Sequence, residues 1–280
     1  MHIPVLQKEV IKYLDPKPNE NFIDCTVGEG GHASAILEKN GPKGKILGID
    51  RDPGQIKNLK FKIKNWEKRI IPVCDDYVNL GEIVKENKFG PVSGILFDIG
   101  MSSWHLEESG RGFSFKRKEP LDMRFNANGA LTAEKIVNYW SKFDIEKILQ
   151  DYGEEKKADR IAQKIIEARK LRPIANTLQL GEIINKAGAS SQQTFQALRI
   201  AVNDELNNLS KALPQAVNVL ETGGRLVVIS FHSLEDRIVK NFFKNPSFTL
   251  LTKKPVVPDL GEIRTNPRSR SAKLRAIKKI

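Results

Sequence analysis

Short apolar segments alternate with helix-compatible segments through the first hundred residues of the chain. The apolar segments are 22–25, 46–49, 70–74 and 94–97. Buried strands that alternate with helices are typical of a parallel α/β sheet. The hydrophobic pattern therefore predicts a parallel sheet of at least four strands in this part of the chain.

The pattern changes after Asp98. Residues 103–130 have no clear period, and helical periodicity follows over 132–140, 145–149, 155–170 and 177–186. Thr132 and Ser141 are candidate helix caps, and Pro173 is expected to end the third of these helices. Because this block contains no strand candidate, we predict an all-helical domain, residues 106–193, inserted between two parts of an α/β domain, residues 1–105 and 194–280.

Sheet-type patterning returns in the last third of the chain. Apolar residues at three- and four-residue steps predict one amphipathic helix over 194–213, and the apolar run 225–231 predicts the strongest strand. A helix over 234–243 and two short strands, 248–251 and 273–277, complete the pattern. We expect the last two strands to form an antiparallel pair at the edge of the sheet.

The first predicted strand leads into a glycine-rich turn. Asp24 is followed by Gly28, Gly30 and Gly31, and the second strand ends in Asp50, about 20 residues later. Glycines let a backbone approach a ligand closely. In nucleoside-binding folds, an acid at the end of the second strand binds the ribose hydroxyls. The spacing also fits the dinucleotide pattern, so NAD remains an alternative ligand. Asp24 favours S-adenosylmethionine, because that cofactor carries an ammonium and a sulfonium rather than a pyrophosphate.

Acidic residues accompany all four predicted strands of the first hundred residues. These residues are Asp24, Asp50, Asp75 and Asp98. Ligands of parallel sheets bind beyond the carboxyl ends of the strands, and we expect the four acids to share that edge.

Composition limits the class of protein. Among 280 residues, no apolar run reaches the roughly 18–20 residues needed to cross a bilayer. The two cysteines, Cys25 and Cys74, predict no disulfide framework, and no Cys/His cluster has the spacing of a zinc site. The N-terminus lacks the basic and apolar regions of a signal peptide. We expect a cytoplasmic protein that binds neither a metal nor a membrane.

Charge indicates a polyanionic partner. The net charge is +12, and residues 253–280 hold nine Lys and Arg against two acids. The turn around Arg268 and Arg270 also contains small residues that allow close approach to a phosphate backbone. This combination favours nucleic-acid contact at the C-terminal segment.

A series of long motifs identifies the family that the chain resembles. In order, the motifs are His2-x-Pro4-Val5-Leu6, the loop from Asp24 to His32, Asp98-Ile99-Gly100-Met101-Ser102-Ser103, Arg111-Gly112-Phe113-Ser114-Phe115, Ser230-Phe231-His232-Ser233-Leu234-Glu235-Asp236-Arg237 and Arg268-Ser269-Arg270-Ser271-Ala272. Together with Pro120-Leu121-Asp122-Met123-Arg124 and Phe195-Gln196-Ala197-Leu198-Arg199-Ile200, they closely resemble the bacterial family of ribosomal RNA small subunit methyltransferase H, also called MraW. The match covers nearly the whole chain.

The resemblance implies a fold and an activity. The fold is a class I methyltransferase fold, Rossmann-like and mostly parallel with antiparallel edge strands, that carries an inserted helical domain. The activity is S-adenosylmethionine-dependent N4-methylation of a cytosine in the decoding centre of 16S rRNA, within the small ribosomal subunit. We expect the cofactor contacts to be Gly30, Gly31, His32, Asp50, Tyr77, Asp98 and His105.

Other residues are assigned to the target base and the RNA. Asp98 and His232 are the predicted catalytic residues, although a lone His near a strand end is often structural. Phe113, Phe115, Ser230 and Phe231 are expected to line the base pocket, and Arg268 and Arg270 to contact RNA. Aromatic residues in such loops also serve as hydrophobic plugs, and this alternative stays open.

Three positions depart from the family pattern. Tyr77 stands where Phe is usual, His105 stands where Gln is usual, and the segment before Phe195 lacks an expected basic residue.

Two other functions remain as alternatives to methylation: an NAD-dependent oxidoreductase acting on a small molecule, and a non-catalytic RNA-binding assembly factor. The sequence does not specify an oligomeric state.

Overall fold

The computed structural model describes residues 4–62, 66 and 68–280 of the chain; His2 of the first motif lies outside them. These residues form two compact units. The first comprises residues 1–100 and 206–280, and the second comprises residues 101–205.

The first unit contains a seven-stranded sheet. Its strands are β1 (Phe22–Asp24), β2 (Ile46–Asp50), β3 (Ile70–Cys74), β4 (Gly94–Asp98), β5 (Arg225–Ser230), β6 (Phe248–Leu250) and β7 (Lys273–Lys279). The spatial order is β3-β2-β1-β4-β5-β7-β6. The first five strands pair in parallel, and β7 runs antiparallel to both β5 and β6. The predicted parallel sheet with an antiparallel final pair is confirmed.

Helices of the first unit cover both faces of this sheet. They are α1 (Gln7–Leu14), α2 (Gly31–Lys39), α3 (Pro53–Lys62) and α4 (Leu80–Glu86), followed by α11 (Glu205–Val219), whose first residue belongs to the second unit, α12 (Ser233–Phe242) and α13 (Leu260–Thr265). One apolar cluster packs α4, α11 and α12 on the sheet, and another packs α1, α2 and α3. Because the central strands are covered on both sides, their residues read as continuous apolar runs rather than as alternating ones.

The second unit is helical. Its helices are α5 (Ser103–Glu107), α6 (Ala133–Tyr139), α7 (Lys142–Gly153), α8 (Ala158–Leu171), α9 (Thr177–Lys186) and α10 (Ser191–Asn203). Thr132 and Ser141 cap α6 and α7 as predicted, each accepting a backbone N–H three residues later. The described residues 101–205 contain an isolated bridge, Pro120 with Asn176, but no strand.

The single helix predicted over 194–213 is wrong. The chain forms α10 and α11 there, separated by Asp204, which has a left-handed backbone with φ of 50°. Asn203 ends α10 by donating to the carbonyl of Met123 and accepting from the N–H of Phe125. The apolar period continues across this break, so periodicity alone did not reveal it. The predicted domain boundary at 193/194 also falls inside α10, which lies wholly in the second unit.

Candidate functional site

The carboxyl edge of the sheet brings the predicted acids together. Asp24 pairs with Gly48 on one side and Leu96 on the other, so β2 and β4 each extend two residues further, to Asp50 and Asp98. The end of β1 is therefore recessed between the ends of its two neighbours. This arrangement puts three carboxylates around the glycine turn that leads into α2.

Asp24 lies at the bottom of this recess. Its side chain is buried, and one oxygen accepts the N–H of Thr26 at 3.1 Å. Burial raises the pKa of the Asp24 carboxyl to about 7, and the neighbouring His32 opposes this shift. The charges of Asp98 and Asp50 contribute to this rise, to a smaller extent than burial. A cationic ligand at this edge would therefore relieve an unfavourable concentration of negative charge.

Asp50 shapes the glycine turn. Its Oδ2 accepts the N–H of Gly28 at 3.0 Å, and its Oδ1 accepts the N–H of Asp52 at 2.9 Å. Each carboxylate oxygen can accept a further hydrogen bond, so these contacts are compatible with ribose hydroxyls. Asp50 ends β2 as predicted and also contacts the turn, and its binding of a ribose stays a prediction.

Glycine is required for different structural reasons at the three positions of the turn. Gly28 and Gly30 have positive φ angles of 49° and 82°, a backbone region that residues with a Cβ rarely adopt. Gly31 instead meets a close neighbour, because a Cβ there would lie 2.5 Å from Cγ of Pro4. Contact of Gly30 and Gly31 with the cofactor stays a prediction.

Asp98 ends β4 with its carboxylate at the edge of the sheet. Its backbone N–H donates to Oγ1 of Thr26 at 2.8 Å, which fixes the end of β4 against the turn. Its Oδ2 lies 3.4 Å from Nε2 of His32, whereas Oδ1 is buried and has no hydrogen-bond partner among the described residues. A buried carboxylate oxygen without a donor is costly and suits a cationic or N–H-bearing ligand.

Tyr77 provides an apolar wall beyond β3. Asp76 caps the 3-10 turn Tyr77–Asn79 by accepting the N–H of Val78 at 3.0 Å. The Tyr77 ring is buried and meets Phe97 edge-on, with ring centres 5.5 Å apart. Neither Thr26 nor Asp76 had been selected from the sequence, since nothing in the sequence distinguishes their roles from those of ordinary turn residues.

The Ser230–Arg237 motif lies at the end of β5 and the start of α12. Ser230 is buried and donates to the carbonyl of Lys273 at 3.3 Å. The ring of Phe231 packs on the chain just after β4, since a Cβ on Gly100 would lie 2.5 Å from its Cε2. Both residues are therefore anchored close to the carboxyl edge of the sheet.

His232 is the N-cap of α12. Its Nδ1 accepts the N–H of Glu235 at 3.4 Å, and the Glu235 carboxylate accepts the N–H groups of Phe231 and His232. Nε2 lies 2.9 Å from the other Glu235 oxygen, but the alignment is not that of a hydrogen bond. A structural function of His232 is thus present, and its catalytic function stays a prediction.

The C-terminal segment divides its basic residues between two uses. Asp236 binds Arg275 through two contacts of 2.7 and 3.2 Å and lies 3.8 Å from Nζ of Lys273. Arg268 and Arg270 lie in the 3-10 turn Pro267–Ser271, where Arg270 is exposed and Arg268 half-buried. Arg275 is therefore held within the protein, while Arg270 is accessible to a partner.

The second unit contains the other predicted site residues. His105 is buried among Trp104, Phe113 and Phe125, and its Nδ1 lies 2.8 Å from Oγ of Ser102. Phe113 is buried and stacks on Phe125 with ring centres 5.0 Å apart. This burial favours the hydrophobic-plug interpretation of Phe113.

Phe115 is less enclosed than Phe113. It is half-buried and meets Phe195 edge-on at 5.6 Å. The following residues, Lys116, Arg117 and Lys118, are exposed. Base contact by Phe115, and cofactor contact by His105, stay predictions.

No helix among the described residues is both long and apolar enough to cross a membrane.

Charge is unevenly distributed between the parts of the chain. Residues 206–280 hold fourteen Lys and Arg against five Asp and Glu, whereas residues 101–205 hold seventeen against fifteen. Most of the net positive charge therefore belongs to the last quarter of the chain.

Comparison with known proteins gives one consistent result. The model of the MraW methylase family matches residues 1–280. A protein from Heliobacterium mobile named ribosomal RNA small subunit methyltransferase H is 43% identical, with 100% of this chain and 99% of the relative covered. A protein of the same name from Thermotoga neapolitana is 46% identical, with 98% and 95% covered.

A solved structure shares the fold. The crystal structure of a proposed rRNA methylase from Clostridium thermocellum superposes with a TM-score of 0.51 over 100% of both chains, at 14% identity. At that identity, the likeness concerns the fold alone.

Proposed function

The chain belongs to the MraW methylase family and is an S-adenosylmethionine-dependent methyltransferase, and we propose that it methylates N4 of a cytosine in the decoding centre of 16S rRNA. The observation that carries this proposal is the family match over the whole chain, with relatives named ribosomal RNA small subunit methyltransferase H. We further propose that the substrate is the small ribosomal subunit in the cytoplasm.

The carboxyl edge of the sheet fits the cofactor. S-adenosylmethionine supplies an electrophilic methyl group on a sulfonium and also carries an ammonium. Asp24 and the unpaired oxygen of Asp98 provide negative charge where such a cation is favourable. We assign the ribose to Asp50, an apolar contact to Tyr77, and further contacts to Gly30, Gly31, His32 and His105.

Two requirements follow from the chemistry of the target. The exocyclic amine of cytosine is a weak nucleophile, because its lone pair is delocalised into the ring. Precise placement of the reacting groups can therefore supply a large part of the rate enhancement, on the order of 7–11 kcal/mol in favourable cases. Positive charge also develops on the nitrogen as it is alkylated, and a preorganised carboxylate stabilises that charge. We assign this second task to Asp98.

The target base has to leave its stack before it can react. Phe231, packed on Gly100 at the end of β4, is anchored where an extruded base needs a wall. Ser230 and His232 flank it in the chain, and Phe115 is the second aromatic candidate. Phe113 is the weakest of these assignments because its ring is already buried against Phe125.

RNA binding is assigned to the C-terminal segment. Its basic excess provides contacts to phosphates, which hold an RNA in place without reading its sequence. Arg268 and Arg270 are the proposed contacts, whereas Arg275 is engaged by Asp236.

Methyl transfer to purified small subunits tests the proposal. Subunits from cells that lack this protein are incubated with it and S-adenosylmethionine, and the rRNA is then digested to nucleosides for mass spectrometry. We expect N4-methylcytidine in the region of the decoding centre, and much slower modification of a short naked hairpin of the same sequence. Methylation of another base, or equal rates on hairpin and subunit, would contradict the proposed substrate.

Calorimetric titration separates this activity from the two alternatives. S-adenosylhomocysteine is expected to bind and NAD is not, because the acidic edge of the sheet disfavours a pyrophosphate. A protein that binds RNA but no S-adenosylhomocysteine would instead be an assembly factor.

A further inference from the structure

The segment Pro4–Leu6 lies on the glycine turn of the first unit. The position of a Cβ on Gly31 would be 2.5 Å from Cγ of Pro4, so the Pro4 ring rests directly on the backbone of Gly31. Nε2 of Gln7 donates to the carbonyl of Gly31 at 3.3 Å. Val5 and Leu6 are buried in the cluster that contains Ala33. The turn to which we assign cofactor contacts is thus backed by the N-terminal segment.

A side chain from the other end of the sequence holds this segment. The N–H of Leu6 donates to Oε1 of Glu262 at 2.8 Å. Leu6 has a φ of 52°, in the left-handed region that a bulky residue rarely occupies. Such a conformation persists only where the surrounding structure imposes it. The Glu262 carboxylate is one of the groups that impose it, since it fixes the direction of the Leu6 N–H.

Glu262 is itself fixed. It lies in the first turn of α13, where its N–H donates to Oδ1 of Asp259 at 2.7 Å. The excursion 257–273 that contains α13 is closed at its base by two backbone hydrogen bonds between Val256 and Leu274, at 2.9 and 2.8 Å. The same excursion carries Arg268 and Arg270. An excursion of the C-terminal segment that is closed at its base therefore presents the Glu262 carboxylate to Leu6.

We propose that Glu262 is a positioning residue for cofactor binding, which acts through Leu6 and Pro4 to hold Gly31 and the start of α2 in the binding conformation. When the carboxylate is removed, Leu6 loses the partner of its N–H and the Pro4–Leu6 segment leaves the turn for part of the time. Apparent affinity then falls in proportion to the fraction of molecules with the segment in place. This inference goes beyond the proposed RNA substrate, and its test requires no RNA.

Calorimetric titration with S-adenosylhomocysteine provides the first test. Glu262→Ala is expected to weaken binding about tenfold, whereas Glu262→Gln, which keeps an oxygen acceptor, stays within about twofold of the natural protein. The matched control is Glu20→Ala. Glu20 accepts the N–H of Lys17 at 2.8 Å in the same manner, but it precedes β1 at the opposite end of the sheet.

The control separates positioning from stability. Both alanine variants lose a hydrogen bond to a backbone N–H and are expected to melt at lower temperatures, but only Glu262→Ala is expected to bind S-adenosylhomocysteine more weakly. Equal affinity in Glu262→Ala and Glu20→Ala would overturn the proposal. So would a Glu262→Gln variant as weak as Glu262→Ala, because the hydrogen bond would then not be the cause.

Hydrogen exchange of the ligand-free protein gives a second readout. The amides of Leu6 and Val10, the latter bonded to the carbonyl of Leu6 at 2.9 Å, are expected to exchange faster in Glu262→Ala and not in Glu20→Ala. If the two amides exchange faster while affinity is unchanged, the segment has no part in cofactor binding and the proposal fails.

A double-mutant cycle that combines Glu262→Ala with Pro4→Ala tests whether Glu262 acts through Pro4, and Pro4→Ala alone gives a readout in which Glu262 is unchanged. Pro4→Ala is expected to weaken binding by itself, because its ring backs Gly31. If Glu262 acts through Pro4, then Glu262→Ala adds little to the effect of Pro4→Ala. Fully additive losses of affinity would place the action of Glu262 elsewhere and overturn the proposed route.

Discussion

The carboxyl edge of the sheet and the C-terminal segment, residues 253–280, contrast in charge and in exposure. At the edge, Asp24 is buried and Asp50 and Asp98 are half-buried, each fixed by contacts with the glycine turn. The C-terminal segment contains nine Lys and Arg against two acids, and Arg270, Lys253 and Lys254 are exposed. A few oriented carboxylates suit a small cationic cofactor, while many accessible cations suit a polyanion. The contrast implies that cofactor binding and RNA binding can be disrupted separately.

The largest effect is expected from Asp98. Asp98→Ala removes the oxygen that has no partner in the described structure, so we expect a loss of roughly 10²–10³ in kcat/KM together with weaker binding of S-adenosylhomocysteine. RNA affinity should not change. The control is Asp15→Ala. It removes a carboxylate that pairs with Lys17 and with Arg225, the first residue of β5, at the opposite end of the strands. Normal turnover in Asp98→Ala would remove this residue from the reaction.

A second prediction concerns the pH dependence of stability. Burial raises the folded-state pKa of Asp24 to about 7, while an unfolded Asp titrates near 4. Between these values the folded state retains a proton that the unfolded state has lost, so the contribution of Asp24 to stability declines as pH rises and is fully lost above about 7. Asp24→Asn cannot ionise, so its stability does not carry this pH dependence, and its amide oxygen still accepts the N–H of Thr26.

Denaturant unfolding without cofactor measures this difference. The stability of Asp24→Asn relative to the natural protein should increase by about 2 kcal/mol from pH 5.5 to pH 8. A constant difference across that range would mean that Asp24 is not the buried titrating group.

A third prediction concerns the basic residues of the C-terminal segment. Arg268→Gln together with Arg270→Gln should weaken RNA binding about tenfold and flatten the log–log salt dependence by roughly 1–2 units, at about 0.7–0.9 per lost contact. S-adenosylhomocysteine affinity should stay the same. Lys85→Gln with Lys88→Gln, two exposed residues near the end of α4, removes the same charge as a control. An equal loss in both pairs would indicate non-specific attraction.

The smallest effect separates two functions of His232. Replacement by Ala removes the N-cap of α12 and should cost about 1 kcal/mol of stability, whereas Asn preserves the cap. If His232 also serves the target base, both variants lose turnover while cofactor affinity is kept. Full turnover in His232→Asn would leave capping as its only function.

The sequence predicted the parts of the fold that repeat a local pattern. Apolar runs located every strand of the sheet, and cap residues such as Thr132 marked helix starts. The break between α10 and α11 was missed, because it depends on hydrogen bonds from Asn203 to residues 80 and 78 positions away in the chain. Periodicity contains no information about such distant partners.

The candidate site was predictable to a similar extent. The acids at strand ends follow from parallel topology, whereas the burial that raises the pKa of Asp24 depends on tertiary packing. The engagement of Arg275 by Asp236 and the contact of Glu262 with Leu6 join residues far apart in the sequence. For that reason, a count of basic residues in the C-terminal segment overstates those available to RNA.

Mass spectrometry of rRNA nucleosides from cells that lack this protein tests the central claim most directly. We predict that N4-methylation of a decoding-centre cytosine in 16S rRNA is lost, and that the natural protein restores it while Asp98→Ala does not. An unchanged level of this modification in the deficient cells, or restoration by Asp98→Ala, would contradict the account.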